Sequence, residues 1–187
     1  MKRIRIFFFL IIFMLVASCS SDYAVELVET QVEIVKDKEK TGAIVITEGE
    51  HKGQELVPTV LHYEFTIKNI GSKKINQIEN KNLEIKIHPH DTLVATSKNI
   101  IGFNIFNPSE YQDTGLGLGK TYATSIEPDQ EEKFSIYFDL GVSEENSEVS
   151  QAVPSEKALQ ELIEQALEAT LVIELDEEEI ARFDMEP

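Results

Sequence analysis

The sequence lacks most of the features that would fix a chemistry directly. Cys19 is the only cysteine among 187 residues, so no disulfide can form within the chain. The longest unbroken apolar run covers only residues 6–16, whereas a membrane-spanning helix needs about 20 apolar residues, which argues against a permanent transmembrane helix. No serine lies in a nucleophile-elbow motif, and the carboxylates are too evenly spread to single out a catalytic pair. We therefore expect that the protein is not an enzyme.

Basic residues are also scarce. The chain has 17 lysines and arginines against 34 aspartates and glutamates, and three of the basic residues lie at positions 2, 3 and 5. Without those three, 14 basic residues remain and the net charge is about −20. Such a surface repels phosphate backbones, so we expect no nucleic acid among the partners. The charge favours cations and basic partners instead, although acidic composition mainly serves solubility.

The first 19 residues have the order of an export signal: three basic residues, the apolar run, and then the small residues Ala17 and Ser18 before Cys19. The stretch Val16-Ala17-Ser18-Cys19 resembles the lipobox of bacterial lipoproteins, in which the cysteine accepts a diacylglyceryl group. Lipidation would also consume a thiol that is a liability in an oxidising exterior. We therefore expect a lipoprotein anchored to the cell membrane on its extracytoplasmic face. The alternative is an ordinary signal peptide in which the cysteine falls at the cleavage site by chance.

Most of the remaining chain has the alternating pattern of short strands. Three segments alternate clearly between apolar and polar residues, and four others have β-branched or aromatic residues between polar breaks. The clear strands are Leu61 to Ile67, Leu83 to Ile87 and Phe134 to Leu140; the weaker ones are Tyr23 to Val35, Ala43 to Thr47, Thr92 to Thr96 and Tyr122 to Ile126. Strands at this spacing predict a β-sandwich.

One amphipathic helix is predicted from Ser155 to Ala169, because its apolar residues recur at helical spacing from Leu159 to Leu167. A closing hairpin of Thr170 to Leu175 and Glu179 to Met185 follows around an acidic turn. The predicted organisation is therefore a lipoprotein signal peptide (1–18), a lipidated cysteine with a tether (19–30) and a single β-sandwich domain (31–187).

The strand-and-turn segment Phe65-Thr66-Ile67-Lys68-Asn69-Ile70-Gly71 and the turn Glu127-Pro128 before the Phe134 strand are common in extracellular domains. Together with the lipobox, they make the chain resemble the immunoglobulin-like β-sandwich lipoproteins of Bacillus and related Gram-positive bacteria. The resemblance implies a mostly β, immunoglobulin-like sandwich with one inserted helix, which serves as a binding or accessory module without a shared active site.

Two motifs suggest specific ligands. The run Gly115 to Thr121 is similar to a phosphate-binding loop, but Thr114 replaces its first glycine and the following residues look like a strand, so we expect no nucleotide. His88, His90 and Asp91 have the character of metal ligands and could bind zinc or copper if another ligand came from elsewhere. Alternatively, the two histidines are exposed loop residues without a metal, and we expect no other cofactor.

The segment 103–113 is a long, aromatic-rich stretch between predicted strands, and long loops in compact domains are often functional. The candidate binding residues are Phe103, Asn104, Phe106, Asn107 and Tyr111. They could bind an envelope protein, a peptide or a glycan; alternatively, the phenylalanines are core residues that hold the loop. We therefore expect a membrane-anchored, non-catalytic binding module, with a metal-binding envelope lipoprotein as the alternative.

Overall fold

The computed structural model describes residues 22–76, 83–121, 125–142 and 152–185. The predicted signal peptide and Cys19 lie outside the described residues. Within them the chain forms eleven strands, three α-helices and one 3₁₀ helix. In chain order these are β1 (Val25–Val35), α1 (Lys38–Thr41), β2 (Ile44–Val45), β3 (Glu55–Leu56), β4 (Pro58–Asn69), β5 (Ile75–Asn76), β6 (Leu83–Pro89), α2 (Asp91–Ile101), the 3₁₀ helix (Pro108–Tyr111), β7 (Leu118–Thr121), β8 (Ser125–Ile126), β9 (Glu131–Val142), α3 (Glu156–Gln165), β10 (Ala169–Leu175) and β11 (Glu178–Met185).

Two antiparallel sheets contain most of the strands. The four-stranded sheet has the order β1-β4-β9-β7, and the three-stranded sheet has the order β11-β10-β6. The pairs β2-β3 and β5-β8 form two short ribbons. The prediction of a mostly β protein is confirmed, and the two antiparallel sheets are consistent with a β-sandwich.

The alternating pattern of the sequence explains the core. In β4, Leu61, Tyr63, Phe65 and Ile67 are at most 1% exposed, while the residues between them are half-buried on the other face. The register places Tyr63 opposite Ile136 and Phe65 opposite Phe134, so β4 and β9 bury the same face. Apolar residues of β6 and β10 belong to the same core cluster, and the core therefore lies between the two sheets.

The predicted C-terminal helix is confirmed as α3. The Ser155 hydroxyl caps it by accepting a hydrogen bond from the Ala158 amide (3.3 Å), and Leu159 and Leu162 are buried on the predicted stripe. The helix ends at Gln165, earlier than predicted, because β10 already begins at Ala169. The closing hairpin is confirmed too. Its turn residues Asp176 and Glu177 both adopt positive φ (56° and 67°), the geometry of a two-residue hairpin turn.

The prediction of a strand at Thr92 to Thr96, and with it that of a single helix, is wrong. These residues lie in α2, an eleven-residue helix. Its buried residues Leu93, Ser97 and Ile101 recur every four positions, and Gly102 ends it with a left-handed backbone (φ 97°). Burial of this face in the tertiary structure outweighs the local strand preference of the β-branched residues.

Three other predicted segments have different boundaries in the structure from those expected from the sequence. The weak strand at 43–47 is reduced to β2, and of the predicted strand 122–126 only β8 is described, since residues 122–124 lie outside the described residues. The predicted tether (19–30) is too long, because β1 begins at Val25 and pairs with β4. The chain is fixed even earlier: the amides of Ile70 and Gly71 donate to the Ala24 carbonyl (2.9 and 3.1 Å).

Candidate functional site

A pocket of about 390 Å³ lies where the two main sheets approach each other at their edges. β6 is the edge strand of the three-stranded sheet, and β7 is the edge strand of the four-stranded sheet. Both strands line the pocket, as does β9 behind β7. The strand edges therefore frame an opening into the side of the fold.

The walls of the pocket are mainly apolar. They are formed by Ile87, Pro89, Phe106, Pro108, Leu118, Ile136 and Phe138. The Phe106 ring packs against the Phe138 ring with centroids 4.8 Å apart, and the Phe138 ring meets the buried Tyr63 ring edge-on at 6.0 Å. These ring contacts fix the inner wall, because each ring is held by another that is buried deeper.

The polar groups of the pocket come from the two edge strands. Lys120 of β7 reaches across the opening and its Nζ donates a hydrogen bond to the Ile85 carbonyl of β6 (3.1 Å). Glu84 Oε1 is 3.8 Å from the same Nζ. Lys86 Nζ lies 2.6 Å from Glu174 Oε2 and 3.2 Å from Glu84 Oε2. Lys120 therefore joins the two sheets, while Lys86 is enclosed between two carboxylates.

The two lysines differ in their electrostatic surroundings. Burial lowers the pKa of Lys120, and the nearby Glu84 offsets part of that effect. In contrast, the hydrogen bond to Glu174 raises the pKa of Lys86. The ammonium of Lys120 is thus the less compensated of the two charges.

The candidate binding residues of segment 103–113 mostly hold their own loop together. The Phe103 ring packs edge-on against the Tyr111 ring (5.0 Å), and Tyr111 is buried, with its hydroxyl donating to the Asp139 carbonyl (3.2 Å). Glu110 accepts hydrogen bonds from the Asn104 amide (2.7 Å) and from Asn107 Nδ2 (3.0 Å). Of the five predicted residues, only Phe106 lines the pocket.

The last four residues of the run 115–121 form strand β7, and of the strand predicted after it only β8 lies within the described residues. Asp139 anchors this segment from β9. Its Oδ2 accepts a hydrogen bond from the Gly117 amide (2.9 Å), and its own amide donates to the Gly117 carbonyl (3.0 Å). Since Leu118 and Lys120 follow directly, Asp139 positions one wall of the pocket.

The candidate metal ligands lie around the start of α2. His88 is exposed on β6 and lines the pocket. His90 precedes α2, with Nε2 3.2 Å from Thr170 Oγ1 and Nδ1 3.7 Å from Glu168 Oε2, while Asp91 is exposed in the first turn. No group of three or more metal-ligating side chains that could hold an ion occurs within residues 22–76, 83–121, 125–142 and 152–185.

No protein-family model matches this chain, and no curated protein or solved structure matches it either. Its function must therefore be inferred from the site itself. Among the described helices, none has both the length and the apolar character to cross a membrane.

The charged residues of the pocket were missed by the sequence analysis. Glu84 and Lys86 have the spacing of an ordinary exposed strand face, and Lys120 belongs to the run that is similar to a phosphate-binding loop. Lys120 and Ile85 are 35 positions apart and belong to different sheets. A sequence pattern carries no signal for such a contact, because it arises only when the two sheets pack.

Proposed function

We propose that the chain is a lipoprotein, held on the extracytoplasmic face of a membrane by lipid on Cys19, and that it is a non-catalytic binding module of the cell envelope. The observation that carries the binding role is the pocket between β6 and β7. Pockets of a few hundred Å³ with apolar walls and a few polar groups are the usual form of small-molecule sites.

The anchor is supported by the order of the first 19 residues. A basic start, an apolar run too short to span a membrane and small residues before the sole cysteine together favour cleavage and lipidation. Two acyl chains on one residue anchor a protein far more stably than a single chain does. The binding module would therefore stay at the membrane and act on whatever reaches its outer side.

The non-catalytic role is supported by the groups that face the pocket. Among the described residues its lining has no serine, threonine or cysteine, and its ionisable groups are Glu84, Lys86, His88 and Lys120. Lys86 is paired with Glu84 and Glu174, and Lys120 is bonded to the Ile85 carbonyl, so both lysines have structural partners. We further propose that the sandwich is immunoglobulin-like. Its four-stranded and three-stranded antiparallel sheets have the strand number of the smallest immunoglobulin domains, to which α2 and α3 are added.

Mass spectrometry tests the anchor. The tryptic peptide from Cys19 to Lys36, isolated from the membrane fraction of cells that produce the chain, is expected to carry a diacylglyceryl group on its N-terminal cysteine. Cys19→Ala should abolish both the modification and retention in the membrane. An unmodified thiol, or a leader still attached to Cys19, would overturn the anchor.

Fluorescence anisotropy tests the pocket. The probes are 2-naphthoate and its neutral isostere 2-naphthamide, whose emission is easy to follow because the chain contains no tryptophan. The lipidated protein is placed in phosphatidylcholine nanodiscs, with empty nanodiscs as the blank. We expect saturable binding of at least one probe, and loss of that binding in Leu118→Phe, which adds a ring to the pocket wall.

Val28→Phe is the matched control, because Val28 is 48% exposed on β1 and does not line the pocket. It adds the same aromatic group outside the site and should leave binding intact. If neither probe binds above the blank, or if Leu118→Phe binds as the unmodified protein does, the pocket is not a binding site.

A further inference from the structure

The half-buried ammonium of Lys120 indicates which chemical class of ligand the pocket would bind. Its side chain is 26% exposed and crosses from β7 to the backbone of β6. The ammonium has three N–H donors, and among the described residues it makes one hydrogen bond, to the uncharged Ile85 carbonyl. Glu84, at 3.8 Å, is beyond hydrogen-bonding distance. With respect to the described residues, donors of Lys120 therefore remain for a ligand.

Lys86 is less available to a ligand than Lys120. It lies 2.6 Å from Glu174 and 3.2 Å from Glu84, so two carboxylates already surround it. The lining thus has two lysines, Lys86 and Lys120, and one carboxylate, Glu84, whereas the chain as a whole is strongly acidic. Since Lys86 is paired with Glu174 and Glu84, the attraction for a ligand anion comes from the Lys120 ammonium, and Glu84, 3.8 Å from that ammonium, opposes part of it.

We propose that the ligand is a small organic acid, with its carboxylate on the Lys120 ammonium and an apolar body against Phe106, Leu118 and Phe138. This inference rests on the proposed function and specifies the ligand of the same pocket. The carboxylate would supply a charged acceptor within hydrogen-bonding distance, and a charge-assisted hydrogen bond in a sheltered site is stronger than one to a neutral carbonyl such as that of Ile85. The apolar body would cover the aromatic wall and displace water from it.

The two naphthalene probes test this inference because they have the same shape and differ in charge. We expect 2-naphthoate to bind about tenfold more tightly than 2-naphthamide, the ratio that a hydrogen bond to a charged group provides. Lys120→Met should abolish that preference while the amide still binds. Lys120→Gln serves as a second variant if the methionine variant does not fold, and Lys120→Arg should retain the preference.

Lys133→Met is the matched control, because Lys133 is an exposed lysine of β9 that pairs with Glu64 outside the pocket. It removes the same charge from the chain and should leave the preference unchanged. Equal affinity for the two probes, or a preference that persists without Lys120, overturns the organic-acid inference but leaves the pocket as a binding site. Absence of binding by both probes overturns the proposed function itself.

Discussion

Asp139 is a buried acidic side chain in the four-stranded sheet. It is 7% exposed, and its carboxyl accepts a hydrogen bond from the Gly117 amide (2.9 Å). Burial raises its pKa from 3.8 to about 6, with the Gly117 hydrogen bond opposing part of the effect. A carboxyl in such surroundings holds its proton more tightly in the folded state than in the unfolded state.

This raised pKa predicts how Asp139→Asn changes stability with pH. Between about pH 4 and pH 6 the folded protein binds more protons than the unfolded chain, so the contribution of Asp139 to stability is present at low pH and is lost as the pH rises through 6. The asparagine variant does not titrate. We expect the stability of the variant relative to the unmodified protein to increase by about 2 to 3 kcal/mol from pH 4 to pH 7.

Urea unfolding at the two pH values measures this difference. Glu26→Gln is the control, because Glu26 is exposed on β1, and its relative stability should be the same at both pH values. A constant difference between the Asp139→Asn variant and the unmodified protein would contradict the prediction.

The sequence predicts strands and helices correctly where the buried side chains follow the local alternation of apolar and polar residues. The pattern predicts β4 and β9 because one face is buried from Leu61 to Ile67 and from Phe134 to Leu140, and apolar residues alternate there. In α2, β-branched Thr92, Val94 and Thr96 favour a strand locally. The helix forms because tertiary contacts bury Leu93 and Ile101, a preference that the local pattern does not show.

Of the pocket and the loop beside it, the sequence predicts only the part that lies within one continuous segment. The segment 103–113 was recognised from its aromatics and amides, and Phe106 does line the pocket. Phe103 and Tyr111 instead pack on each other, and the amide side chains stabilise the loop. The pocket itself requires β6 and β7 to meet, and they are separated by α2 and the segment after it. Only the packed sheets bring them together.

One long-range hydrogen bond links the end of α3 to β4, in addition to the buried Leu159 and Leu162. The fully buried Tyr63 hydroxyl donates to the Ala166 carbonyl just beyond the end of the helix (2.8 Å). Tyr63→Phe removes the donor and leaves that carbonyl without it. We expect a loss of about 1 to 2 kcal/mol in the free energy of unfolding, measured by urea denaturation.

Tyr137→Phe is the control for this variant. The Tyr137 ring is half-buried and lies over Gly119, its cross-strand partner on β7. Removing its hydroxyl is expected to change stability by less than removing that of Tyr63. Equal losses in the two variants would show that the bond to Ala166 does not stabilise α3.

The described part of the chain begins only a few residues after Cys19, and this short distance determines how a lipid on Cys19 would orient the domain. Besides the two bonds to Ala24, the Lys73 amide donates to the Asp22 carbonyl (3.0 Å) and Lys73 Nζ lies 2.7 Å from Asp22 Oδ2. Gly71 allows this close approach, because a Cβ there would lie 2.7 Å from the Ala24 nitrogen. Only Ser20 and Ser21 separate Cys19 from Asp22, a span of at most about 10 Å.

A lipid on Cys19 would therefore hold the turn at residues 70–73 close to the membrane. The opposite end of the sheet lies near α1, one strand length or roughly 30 Å away. Since the proposed lipidation would consume Cys19, the sole native cysteine, a fluorophore can be attached to a single introduced cysteine. In vesicles with a headgroup spin-labelled lipid, we expect strong quenching at Ser72→Cys and weak quenching at Glu39→Cys.

Both residues are exposed, so neither label needs to displace core side chains. A variant with ten additional Gly-Ser residues inserted after Ser21 is the control for tether length. The insertion lets the domain move away from the bilayer, so quenching at position 72 should fall towards the value at position 39. Equal quenching at the two positions without the insertion would mean that the sheet lies flat on the membrane, and the short tether would then not determine which end of the domain faces outward.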